Sequence, residues 1–322
     1  MGPKIFHENF TADGCQFCFH HKFHDNHVVP VYELRTTGAL NQIIGHVKFL
    51  NSEYGNVYYR GITGLFDNVR PSLMRNRVNG SAHDLYLLLN SLHESDYFKE
   101  SLKLQPLISG YGHKLENKRI KRFNHYKIES LLQHYAGNTR FLDVVDNHWV
   151  ALWMGLHDFI CHGKGKMYCM AQSRSLSMWD MHERILLGKQ SDTNIYAYVL
   201  LIAMPYSTCE PYMGIVETDE YVEVDLRRAL PSIYLRPHAQ HALVVRKRDK
   251  GNDSHTADYY DMSSQVVAIL RIRVDRVAEW LGNGRLLTQE NLFPSPSIDQ
   301  GYNNLLLNSK YFTDPFQIRK YF

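Results

Sequence analysis

The side chains best suited to chemistry lie close together in residues 133–143, which read Gln-His-Tyr-Ala-Gly-Asn-Thr-Arg-Phe-Leu-Asp. A Gly-Asn pair in the middle favours a turn, because both residue types tolerate a positive φ angle. From spacing alone, the simplest interpretation is structural: Arg140 pairs with Asp143, and Gln133 caps the end of a helix. The alternative is a polar loop that presents a binding or catalytic site on a rigid scaffold.

Other polar side chains of this kind are spread along the chain, and most of them are hydrogen-bond donors. The donors are Arg60, Arg75, Gln133, His134, Thr139, Arg140, Arg236 and Gln240. A site rich in Arg, Gln and Thr with few acids suits an anionic ligand. Gly61 leaves the backbone beside Arg60 accessible, and Tyr59 and Tyr135 carry rings that can stack on a flat group. An anion joined to a flat ring describes a nucleotide.

Two apolar helices are predicted to hold the central segment, at residues 120–132 and 149–160, because their apolar side chains recur at helical spacing. A strand at 57–59 delivers Arg60 to a turn. Further elements are predicted from the same patterns, as helices at 39–50, 81–92 and 274–281 and strands at 195–204, 221–224, 242–246 and 266–272.

This order of elements predicts an α+β fold in which a helical N-terminal half packs on a strand-rich C-terminal half. We divide the chain into three regions. Residues 1–35 form a Cys/His-rich N-terminal extension, residues 36–292 form the α+β domain, and residues 293–322 form a C-terminal linker and helical tail.

The N-terminal extension contains four side chains that are typical zinc ligands. They are Cys15, Cys18, His24 and His27. The aromatic residues between them alternate with polar ones, which instead indicates a strand with one buried face. We favour the strand over zinc, because so compact a site would strain the turn between its ligands.

The most basic stretch of the chain is residues 114–125, in which Glu116 is the one acid. Its central cations are Lys118, Arg119, Lys121 and Arg122. Such a run is either the solvated face of a helix or a contact surface for nucleic acid, and the sequence leaves both open.

The composition is that of a soluble globular protein, with 44% hydrophobic and 21% charged residues among 322. A net charge of +3 argues against polyanion binding by the chain as a whole. The sequence contains no run of about 18 apolar residues, so no membrane span is predicted. The N-terminus has no apolar segment, so no secretory signal is predicted. The five cysteines are an odd number in a long chain, which predicts a reducing compartment and no disulfide framework. We therefore expect a cytoplasmic protein. Motifs for phosphate loops, zinc proteases and serine hydrolases are absent from the sequence.

Four motifs, in this order along the chain, resemble those of the FRG domain family. They are Tyr59-Arg60-Gly61, Pro71-Ser72-Leu73-Met74-Arg75, residues 133–143 with the following Val150-Ala151-Leu152, and Arg236 to Gln240. The resemblance covers roughly residues 54 to 250. The chain departs from the family pattern at three positions: Tyr59 replaces Phe, Ala136 replaces the usual Gly, and His241 stands where Gly is common.

The resemblance implies an ADP-ribosyltransferase-like fold for the C-terminal half, and an enzyme that cleaves NAD and transfers ADP-ribose. In such enzymes an Arg at the end of an early strand grips the phosphates of NAD. The catalytic residues implied here are Arg60, His134, Asp143 and Gln240. The residues implied to bind NAD are Tyr59, Arg60, Gly61, Arg75, Gln133, Tyr135, Thr139, Arg140 and Arg236.

The resemblance also implies a setting, since FRG domains often occur in bacterial toxin and phage-defence systems. We expect the acceptor to be a macromolecule, with nucleic acid favoured over protein, and we expect an antitoxin or chaperone protein as partner. Three alternatives remain open: a nucleic-acid-binding or nuclease-like effector, a non-catalytic module that senses nucleotides, and a purely structural interaction module.

Overall fold

The computed structural model describes residues 2–6, 10–75, 81–103, 114–163, 168–174, 195–207, 210–249, 256–312 and 316–321. The strands in these ranges are β1 Cys15–Lys22, β2 Val28–Leu34, β3 Gly55–Ile62, β4 Leu142–Val145, β5 His157–His162, β6 Tyr168–Ser173, β7 Tyr196–Pro205, β8 Ile215–Glu217, β9 Tyr221–Asp225, β10 Ala242–Lys247, β11 Val266–Arg273 and β12 Lys320–Tyr321. The helices are α1 Thr37–Leu50, α2 Ser72–Arg75, α3 Ser81–Glu94, α4 Asp96–Ser101, α5 Lys114–Tyr135, α6 His148–Leu156, α7 Leu226–Ala229, α8 Arg236–Ala239, α9 Val274–Trp280, α10 Gln289–Leu292 and α11 Gln300–Leu307.

Nine strands form one large sheet in the order β1-β2-β11-β7-β3-β4-β10-β9-β8, and the other three form a small sheet in the order β12-β6-β5. In the large sheet β11 runs parallel to β2, and the other neighbouring pairs are antiparallel. The mixed sheet and its helices confirm the prediction of an α+β fold.

The predicted division into a helical half and a strand-rich half is wrong, because β1 to β4 come from the first half of the chain and lie within the large sheet. Strands β1 and β2, which belong to residues 1–35, form one edge of that sheet. Local periodicity shows that a segment is a strand but does not show which distant strand will pair with it.

The period-two alternation of the strands divides the core between the two faces of the sheet. In β10, Ala242 and Val244 pack with helices α3 and α5, whereas Leu243 and Val245 pack on the opposite face. Helices α1, α6 and α9 cover a third group of buried side chains around β3 and β7. The longest described helix, α5, ends directly at the central segment and brings Gln133 and His134 with it.

The helices predicted at 39–50 and 120–132 are confirmed as parts of α1 and α5, and the strand at 57–59 is confirmed as part of β3. Thr36 caps α1 by accepting a hydrogen bond from the amide of Ala39 at 3.1 Å. None of the helices in the ranges described above has both the length and the apolar character that crossing a membrane requires.

The second helix after the central segment is shorter than predicted. Helix α6 ends at Leu156, and residues 157–162 turn into strand β5. A short apolar run does not distinguish a helix from a strand, which explains the error. Strand β5 pairs with β6, and Cys161 and Cys169 face each other in that pair and form a disulfide. The prediction of no disulfide framework therefore missed this one bond.

A buried ion network links α5, the central segment and the end of β10. Glu129, which is fully buried, accepts hydrogen bonds from Nε and Nη2 of Arg140 at 3.0 and 2.7 Å. Asp249 accepts from Arg140 at 3.1 Å and from Arg246 at 3.2 Å. Burial alone would raise the pKa of Glu129, but the two arginines outweigh it and hold that pKa below its usual value. Arg140 therefore pairs with Glu129 and Asp249, and the predicted pair with Asp143 is wrong.

We predict that Glu129→Gln lowers the free energy of unfolding by about 3 kcal/mol, because it leaves two buried guanidinium groups with too little opposing charge. Urea unfolding followed by circular dichroism measures the change. The matched control is Glu53→Gln, since Glu53 is 76% exposed and pairs with Lys4 on the surface. We expect the control to lower the free energy of unfolding by less than about 1 kcal/mol. Equal losses in the two variants would contradict the importance of the network.

Candidate functional site: an arginine-lined cleft where the sheet opens

The large sheet opens between β3 and β4. These strands are paired at one position, Tyr59 with Val145, and then diverge. Beyond that pair, Nη1 of Arg60 donates a 2.6 Å hydrogen bond to the backbone carbonyl of Asp143, which replaces the missing strand pairing. A cleft of about 410 Å³ lies at this opening.

Eight of the residues predicted from the sequence line this cleft. They are Tyr59, Arg60, Gly61, Arg75, Gln133, His134, Asp143 and Gln240. They come from β3, α2, α5, β4 and the end of α8, so the fold gathers residues that are up to 181 positions apart (Tyr59 to Gln240). The resemblance grouped these residues by motif, and the structure brings them to one place.

A chain of hydrogen bonds fixes the carboxylate of Asp143. Thr139 donates through Oγ1 to Oε1 of Gln133 at 2.6 Å, and Nε2 of Gln133 donates to Oδ2 of Asp143. The turn that makes this possible has Gly137 at φ +84° and Asn138 at φ +61°. A side chain with a Cβ would be strained at the first of these positions and would also meet a neighbouring guanidinium group, so Gly is required there.

The same turn positions helix α2. The amide of Asn138 donates to Oγ of Ser72 at 2.9 Å, and the amide of Leu73 donates to the carbonyl of Thr139 at 3.2 Å. These two bonds hold the short helix that carries Arg75, which ends the Pro-Ser-Leu-x-Arg motif. The second and third motifs of the chain are therefore joined directly.

The cleft has more cations than the sequence predicted. Arg319, from the C-terminal tail, joins Arg60 and Arg75 around Asp143. In the described part of the chain, no carboxylate lies within ion-pair distance of any of these three guanidinium groups. Burial lowers the pKa of Arg60 to about 10, and Asp143 offsets part of this effect. Burial also raises the pKa of Asp143, although the surrounding arginines oppose the change. The arrangement is that of an anion site beside one central carboxylate, and the second acid of the lining, Asp158, lies 3.9 Å from Arg174.

His134 has an imidazole that stays neutral in the physiological range. Burial and the charge of Arg236 lower its pKa to about 3. Its Nε2 is buried and has no hydrogen-bond partner. A neutral ring of this kind can exchange a hydrogen bond with a ligand but does not add to the positive charge of the cleft.

Four of the predicted ligand-binding residues do not line the cleft, contrary to expectation. Arg140 belongs to the buried ion network, and Thr139 is fully buried behind Gln133. Tyr135 is also fully buried, and its hydroxyl donates to Asp299 at 2.7 Å. Arg236 lies in the interior, where its guanidinium is surrounded by aromatic rings. Each is held by contacts within the protein, so each supports the site from behind.

Three of the lining residues contribute differently from the prediction. The ring of Tyr59 is 1% exposed and packs under Lys48, so it is not available for stacking. Gly61 serves close packing, because a Cβ there would lie 1.8 Å from the carbonyl oxygen of Ala151 in α6. Gln240 donates through Nε2 to the carbonyl of Leu292 at 2.8 Å and so anchors the start of the tail.

The aromatic wall of the cleft comes from residues outside the predicted site. Phe293 and Tyr321 stack with ring centroids 4.4 Å apart, and Phe159 lies 5.5 Å from Phe293. Phe66, which is 57% exposed, lies at the rim. Two of these residues and Arg319 belong to residues 293–322, which were predicted to be a linker and helical tail. No motif marks them, and their positions depend on tertiary packing alone.

Cys15 and Cys18 lie in strand β1, which confirms the predicted strand, and His24 and His27 follow that strand. Sγ of Cys18 lies 3.5 Å from the carbonyl of Gln16, and Nε2 of His27 lies 2.7 Å from the carbonyl of Val266. Within the described ranges, no three His, Cys, Asp or Glu side chains converge as metal ligands would.

The basic stretch is partly neutralised. Arg122 pairs with Glu217 at 2.9 Å, and Lys121 lies 4.0 Å from Glu94. Lys118 is exposed, while the side chain of Arg119 lies outside the described part of the structure. Fewer than the four predicted cations are therefore available to contact the phosphates of a nucleic acid.

We predict that Gly61→Ala lowers the free energy of unfolding by about 3 kcal/mol, because the added methyl group forces β3 and α6 apart. Urea unfolding measures the change. Gly64→Ala is the matched control, since a Cβ there meets nothing within 4 Å. A Gly61→Ala protein as stable as wild type would show that this glycine is needed only for access to the backbone.

Comparison with known proteins gives no relative from which a role could be transferred. No protein-family model matches the chain, and neither a curated protein nor a solved structure matches it. The resemblance to FRG domains therefore depends on the four motifs, and the function depends on what the cleft can bind.

Proposed function

We propose that the chain is an ADP-ribosyltransferase-like enzyme that binds NAD in the arginine-lined cleft, cleaves it and transfers ADP-ribose to a macromolecule. The observation that supports this most directly is the grouping of Arg60, Arg75 and Arg319 around the fixed carboxylate of Asp143. A diphosphate carries the charge and the oxygen acceptors that such a group of guanidinium donors favours.

The proposed reaction breaks the bond between C1′ of the nicotinamide ribose and N1 of the pyridinium ring. The electron pair of that bond leaves with nicotinamide, which departs as a neutral molecule, and C1′ takes on oxocarbenium character. A nucleophilic oxygen or nitrogen of the acceptor then forms the new bond to C1′ and gives up its proton. Because the leaving group is already cationic, the enzyme needs no general acid to expel it.

The residues of the cleft divide these tasks. Arg60, Arg75 and Arg319 hold the diphosphate and so fix the position of the ribose. Asp143, which Gln133 orients, accepts the proton of the attacking group. His134 offers a neutral hydrogen-bonding group to the ribose hydroxyls. Gln240 holds the tail that carries the aromatic wall.

We predict that Arg75→Ala and Arg319→Ala each lower kcat/KM for nicotinamide release from NAD by about a hundredfold, because each removes a charged donor from the diphosphate. Chromatographic detection of nicotinamide, with and without RNA, DNA or lysate, measures the rate. Arg285→Ala is the matched control, since Arg285 is exposed and does not line the cleft. If NAD binds but nicotinamide is not released in any of these mixtures, the chain is a nucleotide-sensing module and not an enzyme. Equal activity of all three variants would refute the assignment of the cleft.

The acceptor is a separate question, and nucleic acid remains the favoured class. Among the described cations of the basic stretch, Lys118 is exposed and Lys121 lies at the limit of ion-pair distance from Glu94, at 4.0 Å. An effector that consumes NAD or modifies nucleic acid harms its own host, so an antitoxin or chaperone partner belongs to the same proposal.

We predict that the double substitution Lys118→Ala and Lys121→Ala weakens binding to RNA or DNA and makes the negative slope of log K against log salt shallower by up to about 2. Nicotinamide release from NAD alone should not change, because neither lysine lines the cleft. Fluorescence anisotropy at several salt concentrations measures the slope. The matched control substitutes Lys22 and Lys310, which are exposed elsewhere. An unchanged slope in the first variant would remove the basic stretch from the acceptor surface.

A further inference from the structure

The arginine-lined cleft continues into a second compartment on the far side of two of its guanidinium groups. This compartment has a volume of about 470 Å³. Four residues line both spaces: Arg60, Ile62, Phe66 and Arg75. Because the two arginines lie at the junction, a ligand with its negative charge in the middle can extend into both compartments.

The two compartments differ in chemistry. The second has an apolar floor formed by Phe23, Leu142 and Leu200, each at most 2% exposed. The residues that suit the reaction, Asp143 and Gln133 among them, line the first compartment and not the second. An apolar floor beside two fixed cations suits a flat ring joined to a phosphate.

Phe66 is placed to cover such a ring. It is 57% exposed at the rim, so its ring is accessible to a ligand in the compartment. Its carbonyl lies 3.1 Å from Nε2 of His21, and further along the same loop the amide of Val69 donates to Asp261 and to Ser263, at 3.1 Å in each case. The loop is therefore anchored at Phe66 itself and again three residues beyond it.

Polar groups in the second compartment can read the edge of a base. Asn68 lines the compartment, and its side-chain amide provides two donors and one acceptor carbonyl. That pattern complements the ring edge of a purine, which presents acceptors and donors side by side.

We infer that the second compartment binds the adenosine end of the dinucleotide, with Phe66 stacked on the base and the diphosphate held between Arg60 and Arg75. The nicotinamide riboside then lies in the first compartment, beside Asp143 and the aromatic wall. This inference rests on the proposed function, and it adds the direction in which NAD lies and the residue that favours an adenine base.

Calorimetric titration of the whole chain with three probes tests the inference: ADP, nicotinamide mononucleotide and inorganic pyrophosphate. We expect Phe66→Ala to weaken ADP binding about tenfold, which is the usual loss when one stacking ring is removed. Ala257→Trp should do the same by filling the mouth of the second compartment, where Ala257 lies. Binding of pyrophosphate should stay unchanged in both variants, and binding of nicotinamide mononucleotide should stay unchanged in Ala257→Trp, because Ala257 lines the second compartment and not the first. Phe49→Ala is the matched control, since Phe49 is 80% exposed on α1.

The outcomes separate this inference from the proposed function. If Arg75→Ala weakens all three probes while Phe66→Ala and Ala257→Trp weaken none, the cleft binds diphosphate but the adenosine assignment is overturned. If the two variants weaken nicotinamide mononucleotide and spare ADP, NAD lies in the opposite direction and the inference is also overturned. If wild type binds none of the probes, the proposed function and the inference both fail.

Discussion

The site depends on one buried cation, Arg236. Its guanidinium lies 4.3 Å from the ring centroid of Tyr135, 4.6 Å from that of Tyr302 and 4.6 Å from that of Tyr321. Nη1 donates to the carbonyl of His134 at 3.1 Å. Removing a guanidinium from water costs several kcal/mol, and ring faces together with a carbonyl at the end of α5 offset that cost without a full ion pair. One side chain therefore ties the central segment to the C-terminal tail.

That tie explains how distant parts of the chain form one cleft. Asp299 caps α11 through the amide of Tyr302 and also accepts from the amide of Arg236 and the hydroxyl of Tyr135. The tail then runs back along α5, where the amide of Arg319 donates to the carbonyl of Tyr135 at 2.8 Å. The third cleft arginine is thus positioned by backbone bonds, which leaves its guanidinium to contribute charge.

Features set by residues close together in the sequence were predictable, and features set by residues far apart were not. Helix α5, strand β3 and the turn at 137–138 have local signals, and the motifs contain Arg60, Gln133 and Asp143. Spacing misassigned Arg140, because its partners Glu129 and Asp249 are 11 and 109 residues away. Residue spacing gave no sign of Arg319 or of the aromatic wall. Their roles depend on the C-terminal tail folding back onto the domain, which leaves no periodic pattern in the sequence. Motif residues such as Arg236 and Tyr135 proved to be the support behind the site.

The opening between β3 and β4 sets a limit on how the cleft can work. A sheet that stops pairing leaves backbone carbonyls without partners, and Arg60 satisfies one of them at Asp143. The same guanidinium faces the cleft, so it joins the two diverging strands and still has donors for a ligand. Arg75 and Arg319 carry no such structural bond to these strands. Charge in the cleft therefore depends on all three arginines, whereas the shape of the opening depends on Arg60, which makes Arg75 and Arg319 the positions where binding can be separated from folding.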